Sequence, residues 1–366
     1  ISAAVIVLLA CSDTTEAMTS GTEQTSDNDL VQVPQGFEVS IFAEGLSGVR
    51  MLKLGPDDRL YTARSSAGEI VRFDLNADGT ANGNPDVVVS GLSQPYGLAF
   101  HEGNLYIGET HQIIRLTGPG FTEETVIIPN LPTGGHWTRE IEFGPDDRLY
   151  VSIGSSCNIC EEADSRRAAV VSYEADGSLG ETVGEGLRNS AGLAFHPETG
   201  ELWASQNERD NLGDDLPAEE LNILVPGGPI EHYGWPYCYE DGLPNPEYPD
   251  ALRCAGKVGP ALEMQAHSAP LGVVFYDHEQ FPVEYRGDLF MAFHGSWNRS
   301  ERTGYKVVRV EVEDGQPISY DDFATGWLTE SGTVAGRPVA VEVGPEGSLY
   351  VSDDGTGRIW RIRWVG

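Results

Sequence analysis

Short apolar stretches broken by glycine- and aspartate-rich turns recur along this chain. They read LKLGPDDRLYTA (52–63), LAFHEGNLYIGE (98–109), IEFGPDDRLYVSI (141–153), LAFHPETGELWASQ (193–206), VVFYDHEQFPVEYRGDLFMAF (273–293) and VEVGPEGSLYVSD (341–353). Each predicts a strand, a tight turn and a second, alternating strand. The first Leu-Tyr pairs begin at 60, 105 and 149, a period near 45, and later intervals stretch where segments such as 207–265 intervene. A third strand follows several copies, as IVRF at 70, IIRL at 113, VVRV at 307 and IWRI at 359. Repeats of this length and strand content predict an all-β, six-bladed β-propeller, because no blade can bury both faces without neighbours. A sandwich of unrelated hairpins would not repeat the turn sequence.

Composition agrees. The 366 residues are 40% hydrophobic and 9% aromatic, as a folded chain needs, and the 44 Gly and 22 Pro are scattered as turns between short strands require. The formal charge of −34 excludes nucleic acid and anionic lipid headgroups as partners.

The N-terminal ISAAVIVLLAC is too short to span a bilayer and resembles a lipobox, with Cys11 as the acylated residue and the precursor start expected upstream. An apolar strand ending in a stray cysteine is the alternative. Residues 12–32 are polar and suit a flexible tether, which leaves 33–366 as the propeller. The expected location is therefore exported, periplasmic or at the cell surface, with the membrane reached only through a lipid anchor. Export permits disulfides, and the remaining cysteines divide into Cys157 with Cys160 and Cys238 with Cys254. A four-cysteine zinc site is the weaker alternative. C-N-I-C is followed by Glu161 and not His, so haem attachment is excluded.

Propeller geometry puts the segments entering the inner strands, and those leaving the second strands, on one face. The entering set holds Arg50, Tyr96, His136 with Trp137, Arg188 with Asn189, His267 and Arg337; the leaving set holds Arg64, Asn207–Asp210, His294, Trp297, Asn298 and Arg299. Four or more arginines converging in so acidic a chain predict a pocket for a small polyanion, since guanidinium forks bind carboxylates in pairs. The bland alternative is that these arginines brace loop carbonyls.

GLRNSAGLAFHP, NERDNLGDDLP, YGWPYC, HSAPLG and FHGSWNR, in this order, resemble the pyrroloquinoline quinone (PQQ) dependent glucose/sorbosone dehydrogenase family, closest to its sorbosone branch. The resemblance implies a sugar or sugar-derived aldehyde as substrate, PQQ and Ca2+ as cofactors, and a separate electron acceptor, a cytochrome or quinone. It implies His136 as catalytic base, Arg188 and Asn189 beside the reacting carbonyl, and Arg337 on a PQQ carboxylate. His267 and Trp297 become further cofactor contacts, Trp297 flat against its ring. Val339 and Asn298 depart from the glucose-oxidising branch, which has arginine and lysine there; Arg64 is the candidate replacement clamp. Calcium is expected on the carbonyls of Glu208 and Arg209, with Asp210 nearby. Two other functions compete: a calcium-dependent sugar lactonase, and a non-catalytic propeller binding carbohydrate or a protein partner.

Overall fold

The computed structural model describes residues 30–366 together with Ile1. The expected lipobox at Cys11 and the tether over 12–29 lie outside the described residues. The end of the expected tether is corrected: Val31 is buried in an apolar cluster with Phe323 and Trp327, and Gln32 exchanges backbone hydrogen bonds with Thr325. An apolar side chain that fits between two blades does not stay in a linker.

Six sheets, antiparallel except where Gly184 and Glu185 pair parallel with Glu231 and His232, form a ring, as the repeats predict. Their inner strands are Val49–Leu54, Leu98–His101, Ile141–Phe143, Ser190–Phe195, Pro270–Phe275 and Pro338–Val343. All six hairpins lie where the sequence repeats. The leucines that open the second strands, Leu60, Leu105, Leu149, Leu202, Leu289 and Leu349, are fully buried, and so are the aromatics that follow them. Alternating residues of one strand are both buried because a blade packs on a neighbour through each face. The aromatic position also explains the conserved spacing to the turn: Tyr61 donates to Asp57 at 3.0 Å, and Tyr150 to Asp146 at 2.9 Å. Asp58 and Asp147 occupy the left-handed region within these turns, which Asp tolerates better than most residues.

One strand of blade six was not anticipated. Phe37–Ala43, from the start of the domain, pairs antiparallel with Arg358–Trp364 and closes the ring. Closure leaves no gap between first and last blades, so the loops on one face form a continuous rim. Near the axis the inner strands approach closely: a Cβ on Gly192 would lie 2.1 Å from the Leu271 carbonyl oxygen.

At the opposite end of the channel, Lys53, Glu142 and Glu342 line a cavity of about 280 Å³. Lys53 Nζ donates to Glu142 at 2.5 Å, and Glu342 accepts from the Leu54 amide at 3.1 Å. Burial opposes the Lys53 charge, but Glu142 and Glu342 outweigh it and raise its pKa. Burial pushes Glu342 up to about 7.

Candidate active site at one end of the channel

His136 lies on the loop that enters the inner strand of blade three, and two buried arginines hold that loop. Arg139 donates to the carbonyls of Pro132, His136 and Thr138; Arg167 donates to those of Thr133 and Gly154. Here arginines do brace carbonyls, as the bland alternative had it. The effect is to fix an imidazole. Its Nδ1 lies 3.0 Å from the Ser155 carbonyl oxygen, and a carbonyl only accepts, so Nδ1 carries the proton and Nε2 presents a lone pair. Burial, reinforced by the Arg188 charge, lowers the His136 pKa to about 3, against the raising effect of the Ser155 bond.

Gly154 completes this corner. A Cβ there would meet Asn189 Oδ1 at 2.4 Å and His136 Cβ at 2.7 Å, so only glycine lets the histidine and the amide share the space.

Arg188 is 4% exposed and uses every N–H it has. Nε donates to the Asn158 carbonyl at 3.2 Å, Nη1 to those of Asn207 at 3.1 Å and Glu208 at 2.7 Å, and Nη2 to Asn158 Oδ1 at 3.0 Å and Asp210 at 3.2 Å. The second Asp210 oxygen accepts from Asn298 Nδ2 at 2.9 Å. Thus Arg188, Asn189, Glu208, Asp210 and Asn298 are brought together with His136. The Glu208 carboxylate is turned inward to Gln206 at 2.5 Å, and burial raises its pKa.

A second group faces them from blades one, two, five and six. Arg50 is paired with Asp354 at 2.6 Å and lies over the rings of Tyr96 and Trp137, 5.3 and 5.4 Å from their centroids. His294 Nε2 is 2.9 Å from the other Asp354 oxygen. Burial alone would raise the Asp354 carboxyl, but His294 and Arg50 hold it down at about 2. Arg337 is set by its amide on buried Asp353 at 2.7 Å, a carboxylate that also takes the indole N–H groups of Trp327 and Trp360. Its guanidinium lies over Tyr305.

Other expected contacts sit differently. Arg64 pairs with Glu69 across its own hairpin. His267 Nε2 is 2.8 Å from the Gly213 carbonyl oxygen and ties down the loop after Asp210. The Arg209 side chain turns away to Glu247, at 2.5 and 3.0 Å. Trp297 is 72% exposed on a groove of about 670 Å³, lined also by Arg299, Arg302 and Thr329. The cysteines form two disulfides, Cys157–Cys160 and Cys238–Cys254, which overturns the zinc alternative because disulfide sulfurs have no thiolate to offer.

Sequence reasoning missed Asn158, Ser155, Gly154, Arg139 and Arg167. A signal existed for the first three: they leave the second strand of blade three, on the face already singled out.

The polar atoms buried on this face without a protein partner include Asn189 Oδ1, Arg50 Nε and Arg64 Nε. Together with Arg337 they offer a planar anion guanidinium donors and aromatic walls, which fits PQQ, a planar quinone with three carboxylates. For calcium the donor chemistry is suitable, but the Glu208 carbonyl and both Asp210 oxygens already accept hydrogen bonds.

A model of the TrAA12-like family matches residues 31–247 and 242–365. The chain belongs to this family. The TrAA12-like chain is 29% identical over 352 residues to an uncharacterised protein of Borreliella burgdorferi, covering 91% of this chain and 90% of that one. It is 24% identical to the PQQ-dependent pyranose dehydrogenase of Coprinopsis cinerea, over 91% of this chain but 54% of that enzyme, so it spans about half the length of that relative. It is also 24% identical to the PQQ-dependent sugar dehydrogenase of Hypocrea jecorina, over 88% and 84% of the two chains. Among solved structures, the PQQ domain of the Coprinopsis pyranose dehydrogenase superposes with a TM-score of 0.78 at 22% identity, over 91% of this chain and 97% of that one. At that identity the likeness shows the fold.

Proposed function

We propose that this TrAA12-like protein is a PQQ-dependent dehydrogenase that oxidises a sugar or sugar-derived aldehyde, of aldose or sorbosone type, and passes electrons to a separate cytochrome or quinone. The observation that carries the reading is the half-buried imidazole of His136, with a free Nε2 lone pair, set beside Asn189 and the Arg188 guanidinium. The named relatives support the cofactor and the substrate class.

When bound, PQQ supplies the oxidant, accepting hydride from the sugar carbon. Arg337, Arg50 and Asn189 would hold it, with Arg64 and Trp297 at the edge of the same face. The work of the protein's own residues follows from their geometry. His136 is neutral at ordinary pH and accepts the substrate hydroxyl proton at Nε2; the Ser155 carbonyl keeps Nδ1–H in place and stabilises the charge that develops on the ring. Arg188, fixed at every donor, supplies a preorganised positive charge beside the reacting groups. A His136 pKa near 3 makes a weak base, and the carboxylates of an anionic cofactor would raise it toward a useful value.

The carbonyls of Glu208 and Arg209, with Asp210 beside them, would hold calcium, in competition with Arg188, which already donates to Glu208 and Asp210. The two disulfides and the polar tether support export with a lipid anchor at Cys11. A lactonase would need carboxylate and amide ligands pointing at the channel centre, whereas the side chains gathered at this mouth are mainly arginine and histidine, among them Arg50, Arg188, Arg337, His136 and His294.

The test is to titrate calcium-loaded protein with PQQ, following absorbance, and then to add an aldose panel with an artificial electron acceptor. Saturable binding that weakens in Arg188→Ala, with sugar-dependent dye reduction lost in His136→Ala, supports the reading. No binding at micromolar PQQ rejects it.

A further inference from the structure

The tight loop C157-N-I-C160 does more than carry a disulfide: its asparagine is wired to two residues of the candidate site, Arg188 and Asp210. Arg188 donates to Asn158 twice, from Nε to the main-chain carbonyl at 3.2 Å and from Nη2 to Oδ1 at 3.0 Å. The same Oδ1 accepts from the Asp210 amide at 2.8 Å, and Nδ2 returns a bond to the Asp210 carbonyl at 3.1 Å. Trp235 Nε1, from a buried indole, also donates to the Asn158 carbonyl, at 3.1 Å. One side chain thus joins blade three to the loop leaving the second strand of blade four, and a disulfide closed over four residues restrains the backbone that presents it.

We propose that Asn158 is a positioning residue for the dehydrogenase reaction, fixing the Arg188 guanidinium and the Asp210 loop, and that the Cys157–Cys160 disulfide is the clamp that holds it. The proposal rests on the function assigned above for what Arg188 does to substrate. It stands on geometry: Arg188 has five N–H donors, two of them end on Asn158, and a third ends on the Asp210 that Asn158 holds. A guanidinium in a planar fork keeps its orientation only while its acceptors stay put. No other side chain among the described residues bonds both Arg188 and the Asp210 backbone.

The two parts of the clamp separate experimentally. Asn158→Ala removes the three side-chain bonds and leaves the carbonyl. Cys157→Ser with Cys160→Ser leaves the side chain and frees the backbone. Asn158→Asp keeps an oxygen for Arg188 and for the Asp210 amide.

In the full chain, Asn158→Ala is expected to lower kcat by about 10- to 100-fold while the sugar KM moves by less than about threefold, because misplacing a charged group costs the transition state more than ground-state binding. The acid limb of its pH–rate profile should move up, as a displaced Arg188 repels the charged His136 less. The double serine variant should show the same pattern in smaller measure, and Asn158→Asp should restore part of kcat. An unchanged kcat in both the Ala and the double serine variants would overturn the proposal, as would equal loss in Asn158→Asp and Asn158→Ala.

A second readout does not depend on turnover. In nitrogen-15 NMR spectra the Arg188 Nε–H proton, assigned by its disappearance in Arg188→Lys, should exchange slowly with water and lose that protection in the double serine variant. Retained protection there would reject the clamp even if the protein never binds PQQ, whereas absent PQQ binding with protection lost would reject only the assigned function.

Discussion

Arg188 Nη1 donates to the Glu208 carbonyl oxygen at 2.7 Å, one of the oxygens proposed above for a calcium ion. The protein's own guanidinium therefore already uses an acceptor that the family resemblance gives to a metal. Two unit charges about 4 Å apart repel by about 4 kcal/mol in a partly screened setting, and a divalent ion facing a guanidinium by roughly twice that. A single hydrogen bond is worth about 1 kcal/mol net, so charge decides the contest. Arg188→Ala should bind calcium at least about tenfold tighter than the native chain, measured by titration calorimetry, even as its PQQ binding weakens. Unchanged calcium affinity would place the ion elsewhere.

Activity should persist well into acid. Only the neutral form of His136 can accept a proton, and its pKa lies near 3 where an exposed imidazole titrates near 6.5. As pH falls, the base is lost only on passing through that lowered value or the somewhat higher one set by a bound anion. The acid limb of kcat/KM is thus expected below about pH 5, measured with a non-titrating acceptor dye. A limb at pH 6.5 would show an imidazole open to solvent.

The hairpins were legible because the blades repeat one local solution: Leu in the core followed by a buried aromatic, which in Tyr61, Tyr150 and Tyr350 also bonds a turn carboxylate. The closing strand Phe37–Ala43 was not, because its partner Arg358–Trp364 lies at the other end of the chain and nothing local announces the pairing. His136, Arg188, Asn189 and Asn298 were found as members of motifs, and the structure does bring them together. Their supports were harder to see. Arg139 and Arg167 act on main-chain carbonyls, which every residue possesses, and Asn158 was hidden between two cysteines whose pairing explained the stretch too easily. Arg64 is the converse case: its position on this face was legible, but its pairing through Nη1 with Glu69, five residues away, was not.

Gly154 offers a sharp test of the shared corner. Its added methyl in Gly154→Ala would meet Asn189 Oδ1 at 2.4 Å and His136 Cβ at 2.7 Å, both nearer than carbon tolerates. The neighbours are loop side chains and not the blade core, so the fold should survive while the histidine shifts. The variant is expected to keep its melting temperature within about 5 °C and to lose about 10- to 100-fold in kcat. Native-like turnover would mean that His136 has room to spare and that its position is not critical.

At the far end of the channel, Glu342 should make stability fall as the solution turns alkaline. Its carboxyl is pushed up to about 7 by burial, against an ordinary value near 4.5, with Lys53 opposing the shift. A raised carboxyl binds its proton more tightly in the folded chain than in the unfolded one, so its contribution is complete below pH 4.5 and is lost as pH rises through 7. Glu140 lies in the same cluster, is buried, and has one carboxylate oxygen without a partner, so its pKa shifts the same way. Glu342→Gln keeps an oxygen for the Leu54 amide, bonded at 3.1 Å, and removes the titration. Thermal unfolding should therefore show the native chain losing melting temperature between pH 5 and 8.5, and the Gln variant losing less. The two should differ little at pH 5 and most at pH 8.5. If the variant were instead the less stable protein at pH 8.5, Glu342 would be ionised there and stabilised by Lys53, and the electrostatics of this end of the channel would have the opposite sign.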